Sequence, residues 1–315
     1  MTYARARLWL GITGVGSIVM IAAIALIAGL PQTFLGRSNS FGPNEFMQLS
    51  VITGLFMLWI MPLDFLGGFA LPTKFKKSDE TFGAWFRGYV VAAFSQALLF
   101  LVFGSLIIVF SKTYGTIGGV VAITLGIVAC FVVRNRMLLN RQANSPECDE
   151  KLLDALSLIQ SWQVFVPKTV VVQHKDIGFT GGVVGVGKYA QIVIPNAWLT
   201  FTREQLATAI ARRAVAINSG SYSRGLLLAF AWNVCGFVLC SLLPAAGLTT
   251  VAGLATTVCA FTLWSFLGLL VLPTVSRNAS LKIDQELLKQ DTPVELIANT
   301  AFTLDQMQDL SLIHI

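Results

Sequence analysis

Apolar residues in this chain come in long, nearly unbroken runs rather than in the period-two or period-3.6 patterns of half-buried elements. The runs occupy residues 8–30, 49–71, 89–110, 117–133, 226–248 and 251–273. Each is close to the length that crosses a hydrocarbon core of about 30 Å. Backbone polar groups in lipid must be satisfied within the segment, so the pattern predicts six transmembrane helices. The first run follows Arg5 and Arg7 and is longer than the roughly 7–15-residue core of a cleaved signal peptide. It reads as a retained span.

The only sizeable polar stretch is 135–224. Within it, Leu152, Leu153, Leu156 and Ile159 recur at helical spacing over 148–163. A β-branched run at 169–172 follows Pro167, and a second, Gln-Ile-Val-Ile, occupies 191–194. The Gly-rich stretch 178–187 between them reads as a turn. Thr202 suits a helix N-cap, with Gln205 at the capping-box position, and the helix it opens reaches about Ile217 before 218–221 end it. The expectation is a mainly α, polytopic membrane protein of about six transmembrane helices with a small cytoplasmic α+β unit. Its segments are four helices in 1–134, the α+β segment 135–224, two helices in 225–274 and a cytoplasmic helical segment 275–309. The final stretch 310–315 (Leu-Ser-Leu-Ile-His-Ile) resembles a translated sequencing adaptor.

Composition supports the same solvent. Hydrophobic residues make up 55% of the chain and charged ones 12%, about half the charge of a soluble domain. No single water-solvated core would bury 22 Phe and 7 Trp placed in such runs. The net charge of +6 therefore reports topology, not nucleic-acid binding. Arg5, Arg7, Lys74, Lys76, Lys77, Arg87, Arg134, Arg136, Arg141, Arg277 and Lys282 fall on one side of the six spans, against Arg37 and Lys112 on the other. The positive-inside rule then puts both termini and 135–224 in the cytoplasm of a bacterial-type inner (plasma) membrane. Cys130, Cys148, Cys235, Cys240 and Cys259 show no C-x-x-C spacing, so neither a zinc knuckle nor a disulfide framework is expected.

Three local features carry possible chemistry. Residues 182–189, Gly-Val-Val-Gly-Val-Gly-Lys-Tyr, approach the phosphate-loop pattern, but Tyr189 replaces the magnesium-binding hydroxyl and a strand, not a helix, should follow. A hairpin turn is the better reading, and no nucleotide is expected. Asp64 lies inside the second apolar run, in Pro-Leu-Asp-Phe-Leu-Gly-Gly; it is either a structural partner reached by water or Lys74, or an ion- or proton-handling group. Arg212 and Arg213 sit within the predicted helix among Ala209, Ile210, Ala211, Ala214, Val215 and Ala216. They form either a basic patch that meets anionic headgroups or part of a former active site.

The second possibility comes from a resemblance. Strand 191–194, then Trp198-Leu199, then the helix with Arg203, Leu206 and Ala211, followed by two spans and Ser276-Arg277-Asn-Ala-Ser280-Leu-Lys-Ile283-Asp284, is similar in layout to the HtpX-like and CAAX-prenyl-protease-like membrane zinc metallopeptidases. The likeness covers roughly 150–290. In that family the first helix carries H-E-x-x-H, and the second begins S-R-x-x-E-x-x-A-D with a Glu as third zinc ligand. The resemblance places Arg212 at the first zinc His, Arg213 at the general-base Glu, Ala216 at the second His and Ser280 at the Glu ligand. Zinc requires nitrogen, sulfur or carboxylate donors, so the resemblance implies a member without metal or cofactor. Arg277 and Asp284 remain as expected partners of Arg212 and Arg213. His174 reads as a solvated strand-end residue, and His314 belongs to the final stretch.

The leading expectation is a catalytically inactive, metallopeptidase-like protein that binds a membrane protein or a membrane-inserted peptide. One alternative is a transporter or ion-handling protein using Asp64, although the repeats expected of a transporter are not evident. Another is a hydrolase with non-zinc chemistry built on Ser280 and Lys282.

Overall fold

The computed structural model describes residues 2–35, 45–140, 146–173, 179–290 and 292–307. His174, His314, Arg37, Arg141, the side chain of Cys148 and the final stretch 310–315 lie outside the described residues. The helices are α1 (Tyr3–Ile27), α2 (Leu30–Leu35), α3 (Glu45–Phe65), α4 (Leu71–Lys74), α5 (Phe82–Leu139), α6 (Pro146–Ser161), α7 (Arg203–Asn218), α8 (Ser221–Ser241), α9 (Val251–Leu288) and α10 (Val294–Met307). The strands are β1 (Thr169–Val172), β2 (Gly182–Val184) and β3 (Gln191–Pro195). The chain forms two compact units: Met1–Val128 with Ala231–Leu270, and Ala129–Phe230 with Val271–Ile315.

Five helices are long and apolar enough to cross a membrane: Tyr3–Ile27, Glu45–Lys74, Phe82–Leu139, Ser221–Ser241 and Val251–Leu288. Only 6% to 22% of the most apolar window in each is buried within the protein. The remaining apolar surface needs lipid as its solvent, so the chain is an integral membrane protein.

The predicted third and fourth runs are joined in one element, α5. Its 58 residues would extend about 87 Å if straight, but the helix does not run straight. Tyr114 leaves helical geometry and Gly115 takes φ 66° and ψ −160°, a region that side chains with a Cβ rarely enter. Beyond this break the chain doubles back. Gly126 faces Phe103, where an added Cβ would stand 2.7 Å from the ring; Gly119 faces Ser111, and Gly118 abuts the Phe110 carbonyl. Small residues let the two arms approach closely in an environment with little hydrophobic drive for helix pairing.

Elsewhere in this unit, Gly67 meets Leu10 and Gly14 meets Leu63, so α1 and α3 run antiparallel. Between α3 and α4, residues Leu66–Ala70 form a π-helical turn just beyond Pro62, which removes a backbone donor. Rings of Phe65, Phe69, Phe82, Trp85 and Phe86 gather around it. Residues Ala231–Ser241 of α8 and 251–270 of α9 interlock through Trp232 and Trp264, whose rings lie 4.6 Å apart. Each indole covers the other helix's glycine, Trp264 over Gly236 and Trp232 over Gly268.

The second unit is a three-stranded sheet flanked by helices, with strand order β1-β3-β2. β1 runs parallel to β3, and β2 runs antiparallel to it. The Gly-rich stretch expected to be only a turn thus contains an additional strand, β2. Gly181 (φ 69°) and Gly185 (φ 86°) make this possible, because a Cβ on either would strike the carbonyl of Val193 or Tyr189. Thr202 caps α7 in a full capping box with Gln205, and α7 ends at Asn218, as its sequence signals predict. Leu206, Ala207, Ile210, Ala211 and Ala214 of α7 form the core with Ala155 and Ile159 of α6, Ile192 and Ile194 of β3, Trp198, Leu287 of α9 and Ile297 of α10. Pro273 does not end the helix that contains it. α9 continues through it to Leu288, so the predicted separate helix from Ser276 is an extension of the same rod.

Candidate functional site

Arg212 and Arg213 occupy adjacent positions on α7, and adjacent helical residues project about 100° apart. They therefore have different partners. Arg212 points to the 271–288 part of α9 and meets Asp284. Its Nη2 donates to Oδ2 at 2.9 Å, while Nε lies 2.7 Å from Oδ1. The second approach is an ion-pair contact outside hydrogen-bond geometry, because Oδ1 has no hydrogen-bond partner among the described residues. Both side chains keep just over a quarter of their surface exposed. The two-point contact between planar groups is the arrangement that arginine, unlike lysine, supplies.

Arg213 turns toward the sheet and, among the described residues, bonds backbone carbonyls rather than a carboxylate. Its Nη1 donates to the Val193 carbonyl at 3.4 Å and Nη2 to the Thr180 carbonyl. The guanidinium carbon lies 4.3 Å from the centroid of the Trp198 ring, within cation–π range. Trp198 is itself 1% exposed and stacks on Phe201 at 5.6 Å. Burial first, and then the neighbouring Arg212 charge, pull the Arg213 guanidinium down to about 10. Carbonyl dipoles and a ring face thus hold a cation that has no counter-ion among the described residues.

The remaining predicted residues are dispersed. Ala216 is partly buried one turn after Arg212. Ser280 and Arg277, on α9, are exposed, and among the described residues no bond joins either to the Arg212–Asp284 pair. Arg277 is therefore not the structural partner expected of it. Lys282 is two helical positions from Ser280, and residues two apart on a helix do not face each other. That geometry disfavours a Ser–Lys pair formed by these two. Among the described residues, no three of His, Cys, Asp and Glu converge.

Lys188 follows β2 in a short 3-10 turn and leads into strand β3. A phosphate loop would lead into a helix N-terminus, so the turn reading stands. Asp64 sits two residues before the π-helical segment, is exposed, and forms no ion pair among the described residues; Lys74 is not its partner.

Sequence reasoning missed the Arg213–Trp198 stack, the Thr180 carbonyl, and Arg203, whose Nε lies 3.0 Å from the Asp154 carboxylate of α6. The buried Trp just ahead of an arginine-bearing helix was the one available signal. The chain matches no protein-family model and no curated protein.

Proposed function

We propose that this chain is a catalytically inactive, metallopeptidase-like membrane protein whose second unit binds a membrane protein or a membrane-inserted peptide. One observation carries the reading. Arg212, at the position that the resemblance gives to the first zinc ligand, is paired at two points with Asp284 of the second signature. In the family resembled, the metal joins these two helices. Here a guanidinium and a carboxylate supply the cross-link, which keeps the scaffold and leaves no ligand for zinc. An arginine-bearing site at which, among the described residues, no three of His, Cys, Asp and Glu converge suits recognition rather than zinc-dependent cleavage.

Purified chain should accordingly retain no stoichiometric zinc, and added zinc should not produce cleavage of an unfolded membrane protein. A photo-crosslinking residue placed at Ala216 should trap a discrete membrane polypeptide, while one at Leu153, exposed on α6, should not. About one zinc per chain surviving mild chelation would sink the inactive reading. Equal trapping at both positions would sink the binding reading.

The break at Tyr114–Gly115 also supports six crossings, with α5 contributing two. Together with the Lys/Arg asymmetry, it supports our reading of both termini and 135–224 as cytoplasmic, in a bacterial-type inner membrane. Reporter fusions at Asn44 and Thr113 should then read as external, and fusions at Ser78 and Asn144 as cytoplasmic. A cytoplasmic signal at Thr113 would mean that α5 does not turn back across the bilayer.

A further inference from the structure

The turn between β2 and β3 is tight, apolar at two positions and exposed. Val186 keeps 46% and Tyr189 72% of its surface open, and the Lys188 ammonium lies 5.2 Å from the Tyr189 ring. A solvated hairpin tip has no need of this composition. Its placement gives the reason. Tyr222, the second residue of α8, donates its hydroxyl to the carbonyls of Gly185 (3.2 Å) and Val183 (3.3 Å). The apolar stretch of α8 begins at Leu226, one helical turn or about 6 Å further along the axis. The same sheet packs Val170, Val172, Val184 and Val193 against Leu138 and Leu139, the last two residues of α5. Two membrane-crossing helices therefore end on this sheet, and the tip is fastened to the outermost turn of one of them.

From these contacts we infer that the 185–189 tip is a membrane-interface anchor, lying in the headgroup layer of the bilayer that α8 crosses. That layer is about 5–8 Å deep on each side, and the Tyr222 tie falls within it. The side chains suit the place. Tyrosine rings favour the boundary between hydrocarbon and water, Val186 offers a small apolar wedge, and Lys188 presents an ammonium to lipid phosphate while its stem lies along apolar surface. Arg224, exposed on the first turns of α8 with its guanidinium on the Ser219 and Gly220 carbonyls, adds a second charge at the same level. The partner is thus the anionic lipid surface itself. The inference depends on α8 crossing the membrane and is independent of the metallopeptidase-like reading.

The test uses the full chain in nanodiscs of phosphatidylglycerol and phosphatidylcholine, with its five native cysteines replaced by alanine. An environment-sensitive fluorophore is attached to Tyr189→Cys and, in a separate sample, to Leu153→Cys. Lipids bearing a nitroxide on the headgroup should quench most of the emission at 189 and little at 153, whereas an aqueous cobalt quencher should do the reverse. Quenching at 189 by the aqueous agent alone would overturn the proposal. Protection from both quenchers would overturn it equally, since the tip would then be covered by protein.

Discussion

Replacing Arg212 with alanine is expected to destabilise the protein by about 2–3 kcal/mol, with a similar loss for Asp284→Ala. A fully enclosed ion pair would justify about 3–5 kcal/mol. The partial exposure of both side chains lowers the figure, because water partly solvates whichever charge is left alone. The double variant should cost clearly less than the sum of the singles, since it strands neither charge. Thermal or denaturant midpoints of the three variants in one detergent measure this directly. A basic surface patch predicts the opposite pattern: unchanged midpoints and weaker association with anionic lipid. Single changes that are harmless and additive would therefore dismiss the pair as a cross-link, and with it the observation on which the proposed function rests.

The membrane character of the chain was legible because it depends on run length and charge alone. Four of the six apolar runs lie in separate helices of the structure. The other two lie in α5, where a break at Tyr114–Gly115 took the place of a polar loop. Gly115 is one of 27 glycines, and nothing in its neighbours marks it as the point where an apolar helix breaks. Pro273 misled in the other direction. Proline lacks a backbone donor and usually ends a soluble helix, yet a membrane helix tolerates it because neighbouring groups re-satisfy the freed carbonyl. Thr202 and Gln205 announced the start of α7 accurately, since a capping box is local chemistry read from four residues.

At the site, legibility followed the same division. The Arg212–Asp284 contact was anticipated from the order of two motifs 72 positions apart, not from periodicity. Arg213 has other partners than Arg212 because a helix sends consecutive side chains to different neighbours, here the Val193 carbonyl of the central strand β3 and the Thr180 carbonyl ahead of β2. Strand β2 is three residues long and begins at a glycine. Its pairing with β3 places the 180–182 backbone beneath α7, and this tertiary consequence is invisible to propensity. Asp64 is an exposed carboxylate within an apolar helix.

Arg213 gives the second large expected effect. Burial holds its guanidinium down at about 10, well below the range of a free arginine. A base whose value is lowered on folding is held less well as a cation in the native state. Its charge therefore costs stability at every pH below about 10, and that cost fades as pH rises past 10 toward the free-arginine range. The group is retained at neutral pH because two carbonyl hydrogen bonds and the Trp198 face offset the cost. Arg213→Ala removes all three contacts and leaves the Thr180 and Val193 carbonyls to find water, for an expected loss of about 2–3 kcal/mol. Arg213→Lys should recover less than half of that. One ammonium cannot reach two carbonyls while lying flat against the indole, as a guanidinium does. Because the wild-type arginine keeps its charge near neutrality, its advantage over alanine should be the same at pH 6 and pH 8. Amide exchange offers a local readout, with protection of β2 falling in both variants while that of α6 is kept. Full recovery by lysine would show that a point charge suffices, and the planar clamp between carbonyls and ring would have to be abandoned.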